Sequence, residues 1–475
     1  MRLALFLLSS DTRREPRLAI RKVKCNGIST YFIAWIVMTS KSLDKPELPD
    51  GFEFGIVESD EELDELTEFI TGIHNELIAK YQRRLIENMP SFGREMNFYI
   101  RDADKGPIVS SLSAIPSVWE YDGIPLRNLE IEFVATKESY RRRGFVRALY
   151  SHFEKEFHRG EYHISSLWGM PYFFRQFGYD FLFPISFMGA GFTLRADQIP
   201  RLAQDEVPSY MSLSVRPATQ DDLREIIRLH DAISSCLLVR TARSRNLWEI
   251  QERLRMQRSF DFETMVVEQD GRVEGYFRYV AHGKDSSMVA YLGVAMLDVI
   301  ETSISSFDGV MRVLQFLREL AVSQGLQLIV LPGTKAFNLS RVGIDFGAQP
   351  KEWWRYQIRI PDMALLLKQI APALEQHLKG TMFERLTQEV TLHTYDNCYA
   401  LNLVDGDIVD VKDMGTQSWG NLSARPHDLV RLIFGESDIE ELNRMNADFI
   451  VSGSDKALFE TLFPKRESHI FYYLC

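Results

Sequence analysis

Cysteine is scarce and scattered. Cys25, Cys236, Cys398 and Cys475 are the four in 475 residues, and their spacing matches neither a zinc site nor a disulfide framework, which fits a reducing cytoplasm. Long apolar runs are missing too. "MRLALFLLSS" has a short apolar centre, and "STYFIAWIVM" has about half the length that spans a bilayer, so neither reads as a membrane anchor. Positive charge is in deficit: 55 Lys+Arg stand against 66 Asp+Glu, a net charge of −11. A chain that binds phosphate backbones nonspecifically carries a basic surface, so nucleic acid is disfavoured and small-molecule or cationic partners are expected. Any basic cluster is then a local device.

What is present is an ordinary globular composition, 45% hydrophobic and 25% charged, in a chain long enough for two or three cores. Residues 1–50 read as an N-terminal extension. Either the native chain starts near Met38, or the extension is a disordered or loosely docked arm. From Asp60 to Arg84 apolar residues recur at helical spacing behind an acidic first turn, which predicts one helix. Strand-like runs follow, "MNFYIRD", "PIVSSLSAIPSVWEYDG" and "LRNLEIEFVAT", with "YDGIP" as a hairpin turn. Behind Gly144 an apolar stripe, Val146, Leu149, Tyr150, Phe153 and Phe157, makes a helix that Gly160 ends. "YHISSLWG" reads as a strand, "PYFFRQF" as a short helix and "GYDFLFPISFMGAGFTL" as a final strand pair.

This order then repeats. A helix capped by Thr219, a hairpin around "QDGR", a strand "MVAYLGVAML", a helix from Phe307 and a strand "LQLIVLP" form a second unit. Pro361 and Asp362 mark a third part with a helix, a strand region and two further helices. The expected domains are 51–205, 212–361 and 362–475.

The sharpest local signal is "ESYRRRGFVRALY", Glu138 to Tyr150. A glycine at the start of a helix lets the backbone approach an anion, the unpaired amides of the first turn point at it, and neighbouring arginines add charge-assisted contacts. The plain alternative is a solvated helix start. The pattern Arg-x-x-Gly-x-small, Arg141 to Val146, between the strand "LEIEFVAT" and an amphipathic helix, resembles motif A of the GCN5-related N-acetyltransferases. The resemblance implies acetyl-CoA as co-substrate, with Val134, Ala135 and Thr136 along its pantetheine arm and Arg142, Arg143, Gly144, Phe145, Val146 and Arg147 around its diphosphate. Val146 stands where that family usually has Gly or Ala. Two such units followed by a smaller α/β domain resemble the Eis (enhanced intracellular survival) family. That likeness implies an α/β (α+β) fold: two tandem acetyltransferase-like mixed-sheet units, the second without a cradle, plus a C-terminal sterol-carrier-like domain.

Acetyl transfer needs a neutral amine, and something must take its proton. Glu130 and Glu132 alternate along one strand and so share a face with Val134. The resemblance makes Glu130 the base, against the alternative of a solvent-facing pair. The family's thiolate-protonating tyrosine is replaced by Phe174 in "FFRQFGY", with Tyr172 two residues earlier as the substitute. In Eis relatives the terminal carboxylate reaches the active site as a base. Here it belongs to Cys475, a buried C-terminal strand being the other reading. The function expected is N-acetyl transfer to a small polycationic amine or a lysine. A non-catalytic regulator or carrier is the alternative. No metal, nucleic acid or membrane partner is implied, and self-association is left open.

Overall fold

The computed structural model describes residues 19–25, 28–34, 48–102, 106–169, 172–185, 190–200, 212–257, 262–283, 289, 293–351, 355–417 and 419–471. Residues 1–45 and 46–475 separate as two compact units. In the smaller, β1 (Ala19–Cys25) and β2 (Ile28–Ala34) pair antiparallel as a hairpin.

The larger unit opens with β3 (Phe52–Ile56), α1 (Asp60–Ile73) and α2 (Glu76–Asn88). The single helix expected over Asp60–Arg84 is broken. Ser59 and Glu62 close a capping box that starts α1, and a second cap, Asn75 accepting from the Ile78 amide at 2.9 Å, restarts the chain as α2. Then come β4 (Asn97–Asp102), β5 (Ile108–Tyr121), β6 (Ile124–Thr136), α3 (Phe145–Arg159), β7 (Ile164–Leu167), β8 (Asp180–Pro184) and β9 (Gly191–Arg195). Asp122 and Gly123, both at positive φ, make the predicted tight turn between β5 and β6. "FFRQF" is a 3₁₀ turn rather than an α-helix.

The second region comprises β10 (Ser214–Pro217), α4 (Leu223–Ser234), β11 (Val239–Thr241), α5 (Arg245–Met256), β12 (Phe262–Gln269), β13 (Arg272–His282), β14 (Met296–Thr302), α6 (Phe307–Ser323), β15 (Leu328–Leu331), α7 (Asn338–Asp345), β16 (Gln349–Lys351) and β17 (Arg355–Arg359). The strand expected from Met288 is found at β14, which begins at Met296. The third region holds α8 (Met363–Leu378), β18 (Gln388–His393), β19 (Cys398–Val404), β20 (Asp407–Asp413), β21 (Leu422–Ser423), α9 (Pro426–Ile433), α10 (Ile439–Met445), β22 (Ile450–Val451) and α11 (Lys456–Leu462). The helix α10 escaped the sequence reading although Asp438 and Glu441 form its capping box.

The sheets do not follow the chain. The first runs β3-β4-β5-β6-β7-β17-β8, with β11 beside β5, and the second runs β10-β12-β13-β14-β15-β9-β16. The two regions exchange strands: β17 enters the first sheet between β7 and β8, while β9 enters the second between β15 and β16. The expected final pair, β8 with β9, is therefore divided between sheets. Tyr356 and Ile358 of β17 are buried in the first core, and Leu194 of β9 in the second. A third sheet, β20-β19-β18-β21-β22, belongs to the C-terminal region. Its helix α8 docks on the β5–β6 turn, where His377 and Arg466 each reach the Asp122 carboxylate at 2.8 Å. One apolar core runs through both the first sheet and this region, joining Leu149, Tyr121, Phe434 and Leu374.

Candidate active site

The loop between β6 and α3 is built as an anion cradle. Gly144 adopts φ +83°, and no non-neighbouring heavy atom lies within 4 Å of where a Cβ would stand. It occupies the N-cap of α3 with no side-chain cap and no acidic residue in the first turn, and the helical ladder begins only at Ala148 donating to the Gly144 carbonyl. The amides of Phe145, Val146 and Arg147 are left for a ligand, with the helix dipole behind them. Arg142 also takes a left-handed φ of 65°. Tyr140 anchors the loop by donating to Asp102 at 3.0 Å, and the Arg143 guanidinium lies 5.1 Å from the Tyr140 ring and 5.6 Å from that of Phe52. Arg147 reaches Gln176 at 3.5 Å. Among the described residues, none of Arg141, Arg142, Arg143 and Arg147 forms a salt bridge, so their charge stays uncompensated in an acidic chain.

Beside the cradle the first sheet opens. The parallel strands β6 and β7 pair only at Asn128–Ile164, Leu129–Ser165 and Glu130–Ser166, although β6 runs on to Thr136. Residues 131–136 thus face a gap on the β7 side. A bulge lies there as well: Phe133 has φ +50°, and the β5–β6 register slips between Ser113–Glu132 and Ser111–Ala135. Ser111 and Ser113 share a face of β5, so the bulge puts Ala135, not Val134, on the face of Glu130 and Glu132. This departs from simple alternation. The carbonyls of Phe133 and Ala135 accept from Ser111 and Ser110 at 3.2 and 2.9 Å, and the Val134 backbone is hydrogen-bonded by His74 at the α1–α2 break.

Glu130 and Glu132 are not a solvent-facing pair. They are 1% and 8% exposed. Their carboxyls hydrogen-bond to each other, and burial together with the neighbouring Glu130 charge pushes Glu132 well above the ordinary carboxylate range. Trp168 and the Phe133 amide favour its ionised form, but they are outweighed. A polar row flanks the pair: Gln82 donates to Ser113 at 3.0 Å, Ser113 to Asn97 at 2.7 Å, and Asn128 to Ser117 and Ser166 at 2.9 and 2.8 Å. Two adjacent buried carboxyls cannot both ionise readily, so the pair is suited to holding and releasing one proton.

On the other face, Phe174 is buried at 6% exposure and packs near Tyr179. Tyr172 is 77% exposed at φ +71°, with the Arg175 guanidinium 5.9 Å from its ring. Cys475 lies outside the described residues. The tail before it runs beside β11: the Leu238 amide donates to Glu467, His469 to Val239 at 2.9 Å, and Phe471 and Thr241 exchange hydrogen bonds. Because Val239, Arg240 and Thr241 pair with Tyr121, Glu120 and Trp119, residues 467–471 run in the direction from Tyr121 to Trp119 of β5. Burial drives His469 down to about 4.

In the second region the corresponding helix start is closed. Ser306 caps α6 by accepting from the Gly309 amide at 3.1 Å, Asp308 sits in its first turn, and a Cβ on Gly309 would collide with Ser306 and Ile304. Trp168 and His74 join the site without having been singled out in the sequence, and Glu132, named there with Glu130 for the alternation, joins it as the partner carboxyl of the pair. Among the described residues there is no cluster fit for a metal, and no helix is long and apolar enough to cross a membrane.

Residues 74–182, which span the cradle, the carboxyl pair and Phe174, match the family model for the acetyltransferase (GNAT) domain. No curated protein matches the chain. Among solved structures the fold is similar to a probable N-acyltransferase from Enterococcus faecalis, with TM-score 0.64, 14% identity, and coverage of 89% of this chain and 100% of that one. A GCN5-related N-acetyltransferase from Anabaena variabilis gives 0.61 and 15%, covering 88% and 99%; Eis1 from Mycobacterium abscessus gives 0.54 and 13%, covering 89% and 99%. The bulged and parted strands and the uncapped helix thus lie within the residues that match the acetyltransferase (GNAT) domain model, and the fold of the chain is similar to that of solved N-acetyltransferases.

Proposed function

We propose that this protein transfers acetyl from acetyl-CoA to an amine, either a small polycationic molecule or a lysine side chain. The uncapped, unobstructed start of α3 carries the reading: it stands beside four arginines that make no salt bridge among the described residues, and it fits a diphosphate. The amine nitrogen attacks the thioester carbonyl carbon, the C–S bond breaks, and the amine's proton passes to the Glu130–Glu132 pair directly or through water. The net charge of −11 favours encounter with cations. The terminal carboxylate of Cys475 is a second candidate for base or substrate anchor. Residues 362–475 are read as the sterol-carrier-like domain, and 51–205 and 212–361 as the tandem units.

One observation favours a different reading. Phe174 cannot give a proton to the leaving thiolate, as expected of a non-catalytic protein that keeps the cofactor site for regulation or carriage. Calorimetry with acetyl-CoA and thiol release against a panel of amines separate the two. Binding with turnover is expected; binding without turnover on any amine would establish the carrier, and no binding would end both.

A further inference from the structure

The opening in the first sheet has a counterpart in the second. The parallel strands β14 and β15 pair at Met296–Leu328, Leu297–Ile329 and Asp298–Val330, and there they part, although β14 runs on to Thr302. The β13–β14 register slips from Tyr279–Val299 to Arg278–Glu301, which makes Ile300 the extra residue of a bulge. Three rungs followed by a bulge repeat the pattern that ends at Glu130–Ser166 in the first sheet. Next to α6 the second opening is tied shut, because Asn338 of α7 donates to the Ser305 carbonyl.

What lies at it is the chain's own tail. Residues 467–471 run beside β11 through their backbone: the Glu467 carbonyl accepts from the Leu238 amide and the His469 amide donates to Val239, both at 2.9 Å. Side chains two residues apart on an extended segment share a face, and here that face is turned to the second region. The Glu467 carboxylate accepts from the Thr334 hydroxyl at 2.8 Å and the Lys335 amide at 3.0 Å, on the stretch that follows β15. The His469 ring lies 5.0 Å from that of Phe337 and hydrogen-bonds the Ile300 backbone on β14. The Phe471 ring lies 4.3 Å from the Arg243 guanidinium, which pairs in turn with Glu301 of β14. One segment thus reaches both lips of the opening, with His469 and Phe471 buried.

We propose that the opening between β14 and β15 is a peptide-binding site, and that its ligand is the chain's own carboxyl-terminal segment. The site reads an acid, an imidazole and an aromatic ring at alternate positions: Glu467, His469 and Phe471. The two sides of the tail do different work. Main-chain bonds of the kind made to β11 supply affinity for any extended segment, whereas places for alternate side chains supply specificity. The opening holds those places. Filled by the tail and tied shut at Asn338, it leaves no room for a cofactor arm, in agreement with the capped start of α6.

The test keeps the full chain, and coenzyme A enters none of it, so the outcome is independent of the acetyltransferase reading. Amide exchange of residues 467–471, followed by mass spectrometry, reports how often the tail leaves the opening. Thr334→Val keeps the side chain's shape without its hydroxyl, and Glu467→Ala removes the carboxylate. Each should speed that exchange about fivefold, with global melting measured alongside. The double variant should fall short of the product of the two effects, because the changes share one hydrogen bond. A chain carrying Glu467→Ala, His469→Ala and Phe471→Ala together should take up a synthetic peptide of residues 465–471 at one per chain. The same peptide with Glu467→Ala should bind roughly tenfold weaker. Unchanged exchange in both single variants overturns the proposal, and so does a folded triple variant that ignores the peptide or binds its alanine form equally well. If the triple variant does not fold, the exchange of the single variants decides alone.

Discussion

Two residues carry most of what the site can do, and each answers to a single substitution. At Gly144 the backbone is left-handed and the space beside it is open. Aspartate tolerates that conformation better than most residues, so Gly144→Asp should keep the fold while setting a carboxylate in the place of a diphosphate. Acetyl-CoA affinity measured by calorimetry should drop roughly 100-fold or more, with melting little changed. Unaltered affinity would mean the cradle is a plain turn. At Glu132 the consequence is pH dependence. Burial and Glu130 raise its ionisation in the folded chain above its unfolded value. The folded state then holds the proton over a pH range in which the unfolded chain has lost it, and stability must fall as pH rises through that range. Glu132→Gln removes the ionisation, so its stability should be flatter with pH and exceed the wild type's at the alkaline end, as denaturant melts at several pH values would report.

At the scale of elements, two helix starts make opposite choices. The α3 start has glycine, arginines and no cap, whereas the α6 start has Ser306, Asp308 and a glycine packed against its neighbours. A capped start has spent the amides an anion would need. Calorimetry should therefore find one coenzyme A per chain, and a stoichiometry of two would show that the second region binds without a cradle. This contrast was legible in the sequence, because caps, turns and arginine clusters are local. So were the tight turns at Asp122–Gly123 and Asp270–Gly271 and the apolar stripe of α3. The break at Asn75 was missed because the apolar spacing continues across it while one side chain stops the helix. The bulge at Phe133 was missed because nothing in "EIEFVAT" marks a residue for positive φ, and it changes which side chain faces the carboxyl pair. The burial of Glu130 and Glu132 was equally hidden. Strand alternation says that two residues share a face, not what covers that face.

The whole molecule adds what no local pattern holds. Pairing between β17 and β7 joins residues nearly two hundred positions apart, and a strand reads the same in the sequence whichever sheet receives it. The exchange makes the first two regions interdependent. Without β17 the first sheet would lose buried Tyr356 and Ile358, each worth about 1.5–3 kcal/mol on burial, together with its ladder on both β7 and β8. Set against a net stability of about 5–15 kcal/mol for a typical domain, that loss is large. A fragment of residues 46–205 carries the cradle, the carboxyl pair and Phe174, and on a domain-by-domain view it should fold and bind acetyl-CoA. The exchanged strands lead to the contrary expectation. The fragment should be insoluble or lack cooperative melting, because β8 has no neighbour and β9 projects without its sheet. Supplying residues 206–475 as a second chain during expression should recover a soluble complex with cofactor affinity near that of the intact protein. If 46–205 alone melts cooperatively and binds acetyl-CoA as tightly as the full chain, the exchange joins two independently stable units, and β17 is not needed to complete the site.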